Sequence, residues 1–131
     1  MGSPDQPVIP PPPAIAIIDG ALCQLTRRGT CAASHPPLAT AVVEFLPGPQ
    51  RYYVREHPFG LLPGIPNLYC VDAGLRLLWM AAWPHADDPC TGLVGERDGA
   101  LLAQSARGML VRIDAADGRF LGEQSAMAVT A

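Results

Sequence analysis

The sequence contains no lysine, and its nine positive charges are all arginine. That absence excludes chemistry that needs a side-chain amine: the lysine of a phosphate-binding P-loop, a Schiff base, or the ion pair of a protein kinase. Charge of either sign is scarce, at 16% of residues, and the formal net charge is −3. The arginines are scattered from Arg27 to Arg119, and the pair Arg27-Arg28 reads as two solvated side chains near a strand end. No electrostatic footprint for nucleic acid results. Cys23, Cys31, Cys70 and Cys90 include no Cys-x-x-Cys pair of the kind structural zinc sites use, so free thiols are expected. Cys70, inside a strand-like run, is expected to be a small buried apolar residue. A basic n-region is missing, and the longest early apolar run, Ala14 to Ile18, is too short for a signal core or a membrane span. A reducing cytoplasm follows as the expected compartment. G-x-S-x-G, H-E-x-x-H, G-x-G-x-x-G and EF-hand patterns are also missing, so the chain is not expected to be an enzyme or to need a cofactor.

The residues that are present describe an all-β domain. At 131 residues, 49% of them hydrophobic, the chain has length for one core and enough apolar surface to fold. Six of fifteen prolines fall in Met1–Pro13. This stretch can form neither helix nor central strand and is expected to be a flexible arm, either a leader guarding a sheet edge or a polyproline ligand. From residue 14 onward, one domain is expected, built of short β-branched runs cut by turn signals. Ala14–Ile18 and Ala21–Thr26 flank Asp19-Gly20, a type I′ hairpin signal. Ala39–Leu46 and Arg51–Glu56 flank Pro47-Gly48-Pro49-Gln50, read as a four-residue connection. An irregular stretch, His57 to Pro66, follows. Asn67–Ala73 and Arg76–Trp83 surround Gly74-Leu75. Further strands are expected at about Gly92–Glu96, Ala100–Ala106, Met109–Ala115 and Arg119–Gln124, with separators Asp98-Gly99, Arg107-Gly108 and Asp117-Gly118. The one helix-friendly stretch, Cys31 to Ser34, runs straight into His35-Pro36-Pro37.

An internal repeat organises these strands. Asn67-Leu-Tyr-Cys-Val-Asp-Ala-Gly-Leu-Arg-Leu-Leu-Trp79 matches Met109-Leu-Val-Arg-Ile-Asp-Ala-Ala-Asp-Gly-Arg-Phe-Leu-Gly122 at an offset of about forty residues. In each copy a strand ends in Asp-Ala, a glycine turn follows, and Arg with two large apolar residues opens the return strand. Asp72 and Asp114 suit backbone N–H groups of their own turns. This pattern resembles the blade repeat of quinoprotein-like and WD40-like β-propellers. The resemblance implies tandem four-stranded antiparallel meanders, repeat one about 39–84 and repeat two about 91–125, packed as a sandwich or partial propeller beside an N-terminal hairpin. It does not imply a quinone, because two copies cannot close the ring that would hold one. Leu77, Trp79, Ala81 and Trp83 alternate with Leu78, Met80 and Ala82, so the first repeat is apolar on both faces and expects cover on two sides. Repeats bury their faces against neighbours, and a homo-oligomer is therefore expected.

Candidate functional residues cluster in two loops, which could converge at one end of stacked sheets. Arg55, His57, Phe59, Trp83, Asp87 and Asp88 are the expected partner-binding residues, with Trp83 the most exposed aromatic and Trp79 and Tyr69 in the core. An alternative reading makes His57, His85, Asp87, Asp88 and Cys90 a ligand or metal site, although their spacing matches no established zinc pattern. Cys31 with His35, or Cys90 with His57, are the only pairs that could serve a cysteine nucleophile. A third reading is an oligomeric two-blade sugar-binding protein using Trp83. The favoured expectation is a small non-enzymatic β-repeat module that binds another protein or itself. An Ala-, Pro-, Gly- and Arg-rich composition without lysine points to a bacterium, where neutralising a toxin or effector is one role that fits.

Overall fold

The computed structural model describes residues 14–59 and 65–125, so the proline-rich arm and part of the stretch after His57 lie outside the described residues. Eleven strands and no helix occur among them, and no helix is long and apolar enough to cross a membrane. Strands β1 (Ala14–Ile18), β2 (Ala21–Leu25) and β3 (Cys31–His35) form one antiparallel sheet in that order. A second sheet follows the chain through β4 (Val42–Gly48), β5 (Arg51–Glu56), β6 (Leu68–Asp72) and β7 (Leu77–Met80). The third comprises β8 (Cys90–Arg97), β9 (Ala100–Ser105), β10 (Met109–Asp114) and β11 (Phe120–Ser125). Each is a simple meander, as tandem hairpin signals dictate.

Turn chemistry explains most of the boundaries. Asp19-Gly20 (φ 51° and 76°) and Asp98-Gly99 (φ 53° and 78°) are both left-handed at two successive residues, the geometry that matches strand twist in a two-residue hairpin. The connection between β4 and β5 is shorter than the sequence suggests. Pro47 and Gly48 stay in register with Tyr52 and Arg51, leaving Pro49-Gln50 as the turn. Pro47 is tolerated because β4 is an edge strand, where a missing N–H leaves no ladder bond unmade. Cys31–Ser34 is a strand, not a helix start. Four small residues cannot nucleate a helix in isolation, and the turn at 26–30 delivers them to the open edge of β2. The expected N-terminal hairpin thereby becomes a three-stranded sheet.

That first sheet corresponds to the last three strands of the other two. The Gly20 carbonyl accepts the Val42 N–H at 2.8 Å, and His57 N–H donates to the Ala41 carbonyl at 2.7 Å. The β1–β2 turn therefore lies at the end where β4 starts and β5 finishes, so β1 runs in the direction of β5. It also packs beside β4 as β5 packs beside β8. Among the described residues the first sheet has no counterpart of β4 and β8. The turn after the third strand of each meander confirms the alignment. Thr26 Oγ1 accepts the N–H groups of Arg28 and Thr30, Asp72 Oδ1 those of Gly74 and Arg76, and Asp114 Oδ1 that of Ala116. The unit that the sequence displays twice is thus present three times, with threonine in the first copy where the others have aspartate.

The sheets stack in chain order, and the middle one is covered on both faces, as its two apolar faces require. Tyr53, Leu68, Cys70 and Trp79 meet Leu101, Ala103, Val111 and Ile113 of the third sheet. Val54, Tyr69 and Val71 meet Leu22, Ile15, Ile17 and Ala33 of the first. Each fully buried large side chain contributes about 1.5–3 kcal/mol. Trp79 and Tyr69 are core residues, as expected. The cover stops short of the outer strand β7, however, where Leu77, Leu78 and Met80 are exposed. The second and third sheets are stapled at their outer margin: Trp79 Nε1 donates to the Ala115 carbonyl at 3.1 Å, and Ala82 N–H to the Gly118 carbonyl at 2.8 Å. Gly118 has φ +80°, and a Cβ there would lie 2.6 Å from the Trp79 ring.

Candidate interaction surfaces

The described ends of the two loops lie together at one end of the stack, joined through Asn67 and Glu56. Asn67, which is buried, donates from Nδ2 to the carbonyls of Glu56 (2.9 Å) and Cys90 (2.7 Å) and accepts the Cys90 N–H at Oδ1 (3.0 Å). It ties β5, β6 and β8 together where the loops leave. Glu56 is 1% exposed. Its carboxylate accepts the N–H groups of Leu38 (2.6 Å), Ala39 (2.9 Å) and Thr40 (2.9 Å) and the Tyr69 hydroxyl (2.7 Å). Burial alone would raise its pKa, but hydrogen bonds from Thr40, Tyr69, Leu38 and Ala39 outweigh that and hold it below the ordinary carboxylate value. Burial and the facing Glu56 charge push the Tyr69 hydroxyl upward. This carboxylate fixes the crossover from the first sheet to the second. No local signal in Arg55-Glu56-His57 announces it.

Most of the expected partner-binding residues are occupied within the chain. Arg55 Nε bonds Glu44 Oε1 at 2.7 Å. Trp83 is half-buried against the core, not exposed, and its indole N–H donates to the Asp88 carbonyl at 2.6 Å. The apolar ring is drawn under its own loop because that loop supplies the acceptor. Asp88, expected on the contact surface, is 2% exposed and caps the turn of the third sheet by accepting the Arg107 N–H at 2.8 Å. Asp87 pairs with the Arg107 side chain at 2.8 Å, and His85 with Glu123 at 2.9 Å. That hydrogen bond and the Glu123 charge raise the His85 pKa. His57 and Phe59 remain at the surface with ring centroids 5.1 Å apart, and Phe59 is 80% exposed.

The ligand reading gains no geometry. Among the described residues no three His, Cys, Asp or Glu side chains gather where they could hold a metal. Cys90 is enclosed in the core, where burial pushes its thiol up to about 12; Cys70 is pushed up to about 11 for the same reason. Cys31 is exposed and Cys23 buried, with the two thiols side by side on the first sheet, and burial again raises Cys23.

Among the described residues, no further sheet packs on the outward sides of the first and third sheets. Ladder alternation turns Ala14, Ala16, Ile18, Ala21, Cys23 and Leu25 of the first sheet away from the second. No charged side chain belongs to that strand face, and Ile18 is 41% exposed. On the third sheet, Leu102, Leu110 and Leu121 point away from the core. With Arg97, Asp98, Ala100, Arg112 and Gln124 they line a shallow depression of about 420 Å³. Beside it, Gly92, Gly95 and Gly122 leave open space where side chains would stand.

No protein-family model matches the sequence, and comparison with curated proteins gives no match. The fold is similar to that of the computationally designed Ika8 protein, with a TM-score of 0.66 over 89% of this chain and 12% sequence identity. The match takes up 35% of that chain, so this chain spans about a third of its length. That neighbour is a designed protein, neither a quinoprotein nor a WD40 repeat, and the likeness is one of fold.

Proposed function

We propose that this chain is a small non-enzymatic β-repeat module of a bacterial cytoplasm, propeller-like in its repeat, that works by associating with protein. The observation that carries this reading is that, among the described residues, no sheet packs on the outward side of the first or the third sheet, where Ile18 and Leu121 are exposed. Exposed apolar side chains that gather on a regular sheet mark association surfaces. The loop end supports a narrower role, because Trp83 and Asp88 serve the fold and Phe59 with His57 is what stays open there. Catalysis has little to draw on: the buried thiols at Cys70 and Cys90 are held protonated, and His57 Nδ1 accepts the Phe59 N–H.

A photo-crosslinking side chain placed in living cells at Ala16 or at Leu110, one on each face, tests the reading. Crosslinks to protein from these positions, and not from a turn position such as Asp117, support it. Crosslinks from neither face overturn it.

A further inference from the structure

We propose that the free face of the third sheet binds the free face of the first sheet of another copy, so that the protein assembles head to tail. This rests on the association reading above and names the partner as a second copy of the chain.

The argument comes from the equivalence of the three meanders. Each sheet has a backward face, turned toward the preceding sheet, and a forward face, turned toward the next. Inside the chain, the forward face of the first sheet meets the backward face of the second, and the forward face of the second meets the backward face of the third. Among the described residues two halves of this joint are left over: the backward face of the first sheet and the forward face of the third. They are therefore complementary by construction, and a second copy offers the missing half at each end. The positions correspond in detail. Leu102 occupies on the third sheet the place of Tyr53 on the second, since each is central on its second strand and faces forward. Tyr53 is fully buried by the following sheet, while Leu102 has no such sheet over it among the described residues.

Charge disfavours the pairing of two third-sheet faces. Arg112 stands opposite Leu102 in the ladder, with Arg97 and Asp98 on the same face, so pairing two third-sheet faces would desolvate these charges from both copies, twice as many as an unlike contact. The first-sheet face has no strand charge to oppose it and offers small residues, Ala14, Ala16 and Ala21, against the leucines. Such a contact is heterologous: different patches meet at each junction.

The decisive experiment uses Ala16→Glu, which blocks one face, and Leu102→Glu, which blocks the other, with circular dichroism and thermal unfolding to show that each is folded. Light-scattering mass after size exclusion at micromolar concentration should give two or more copies for the natural chain and one for each variant. Mixing the two variants should restore a one-to-one dimer, because each retains the half-joint that the other lacks. A natural chain that stays monomeric, a mixture that stays monomeric, or association lost in one variant and intact in the other would each overturn the proposal. Alkylation of Cys31, the exposed thiol on the first-sheet face, gives a readout without substitution. Its rate should fall as concentration rises, and a rate independent of concentration counts against the proposal. Face crosslinks that capture other proteins, together with a monomeric mixture, would leave the association reading standing and remove this one.

Discussion

Glu56 is the residue on which the junction of the first two sheets depends. A buried carboxylate is tolerable only when its lone pairs are filled, and here three backbone N–H groups and a phenol fill them. Glu56→Gln removes the charge and leaves one acceptor oxygen for three amides, so unfolding in urea at neutral pH should show a loss of about 2–3 kcal/mol. Because the folded-state pKa is lowered, this contribution is present above the ordinary carboxylate value and disappears as pH falls through the folded value. The gap between the natural chain and Glu56→Gln should therefore close in acid; a gap constant from neutral pH to pH about 3 would contradict the assignment. Two tyrosines provide a contrast. Tyr69→Phe removes the bond to Glu56 and should cost about 1–2 kcal/mol, whereas Tyr53→Phe, whose hydroxyl is buried near Glu96 without a hydrogen bond of good geometry, should change stability by less than about 0.5 kcal/mol. The sequence marked Tyr69, Cys70 and Trp79 as core because each lies in an apolar, strand-like run. It was silent on Glu56 and Asn67 because their partners come from segments that only the folded chain brings near.

Among the elements, turns were the most legible feature and the least uniform in consequence. Asp-Gly pairs announce hairpins through left-handed backbone, and the strands they bound fall where expected. The third copy of the repeat escaped notice because Thr26 replaces aspartate: a hydroxyl can accept the same turn amides, so the geometry survives while the pattern does not. β3 was hidden for a different reason, since its small residues carry no alternation and only the neighbouring edge of β2 makes them a strand. Two glycines at the same point of the repeat separate backbone strain from packing. Gly29→Ala has a left-handed φ of +80° and open space around the new methyl, so it should cost about 1 kcal/mol. Gly118→Ala has the same φ but drives the methyl into Trp79, and should cost about 3 kcal/mol or more, with a change in tryptophan fluorescence. Equal costs at the two sites would mean that the staple between the second and third sheets is not rigid.

Across the whole molecule, the junctions are held by different physics and should respond differently to pH. His85 and Glu123 join the loop before β8 to the outer strand β11. Since the His85 pKa is raised in the fold, its stabilisation is complete below the ordinary histidine value and is lost as pH rises through the folded one. The difference in melting temperature between the natural chain and His85→Gln should accordingly be largest near pH 5 and shrink above neutrality, and a difference growing with pH would refute the pairing. The architecture was legible as tandem meanders because glycine turn signals cut the apolar runs into short strands, and the need for cover on both faces of the middle sheet was legible from its composition. The candidate surface was not. Polar loop residues satisfy one another, and the outward faces left without a sheet among the described residues lie on regular strands whose exposure depends on where the stack ends.

The count of three sheets among the described residues carries one more consequence. Every copy that joins adds the same indivisible increment, so a closed ring would have to contain a multiple of three sheets, six from a pair or nine from a trio. The rotation between neighbouring sheets then selects the outcome: a value that divides the full circle in such a number makes growth self-terminating, and any other leaves a spiral with two live ends.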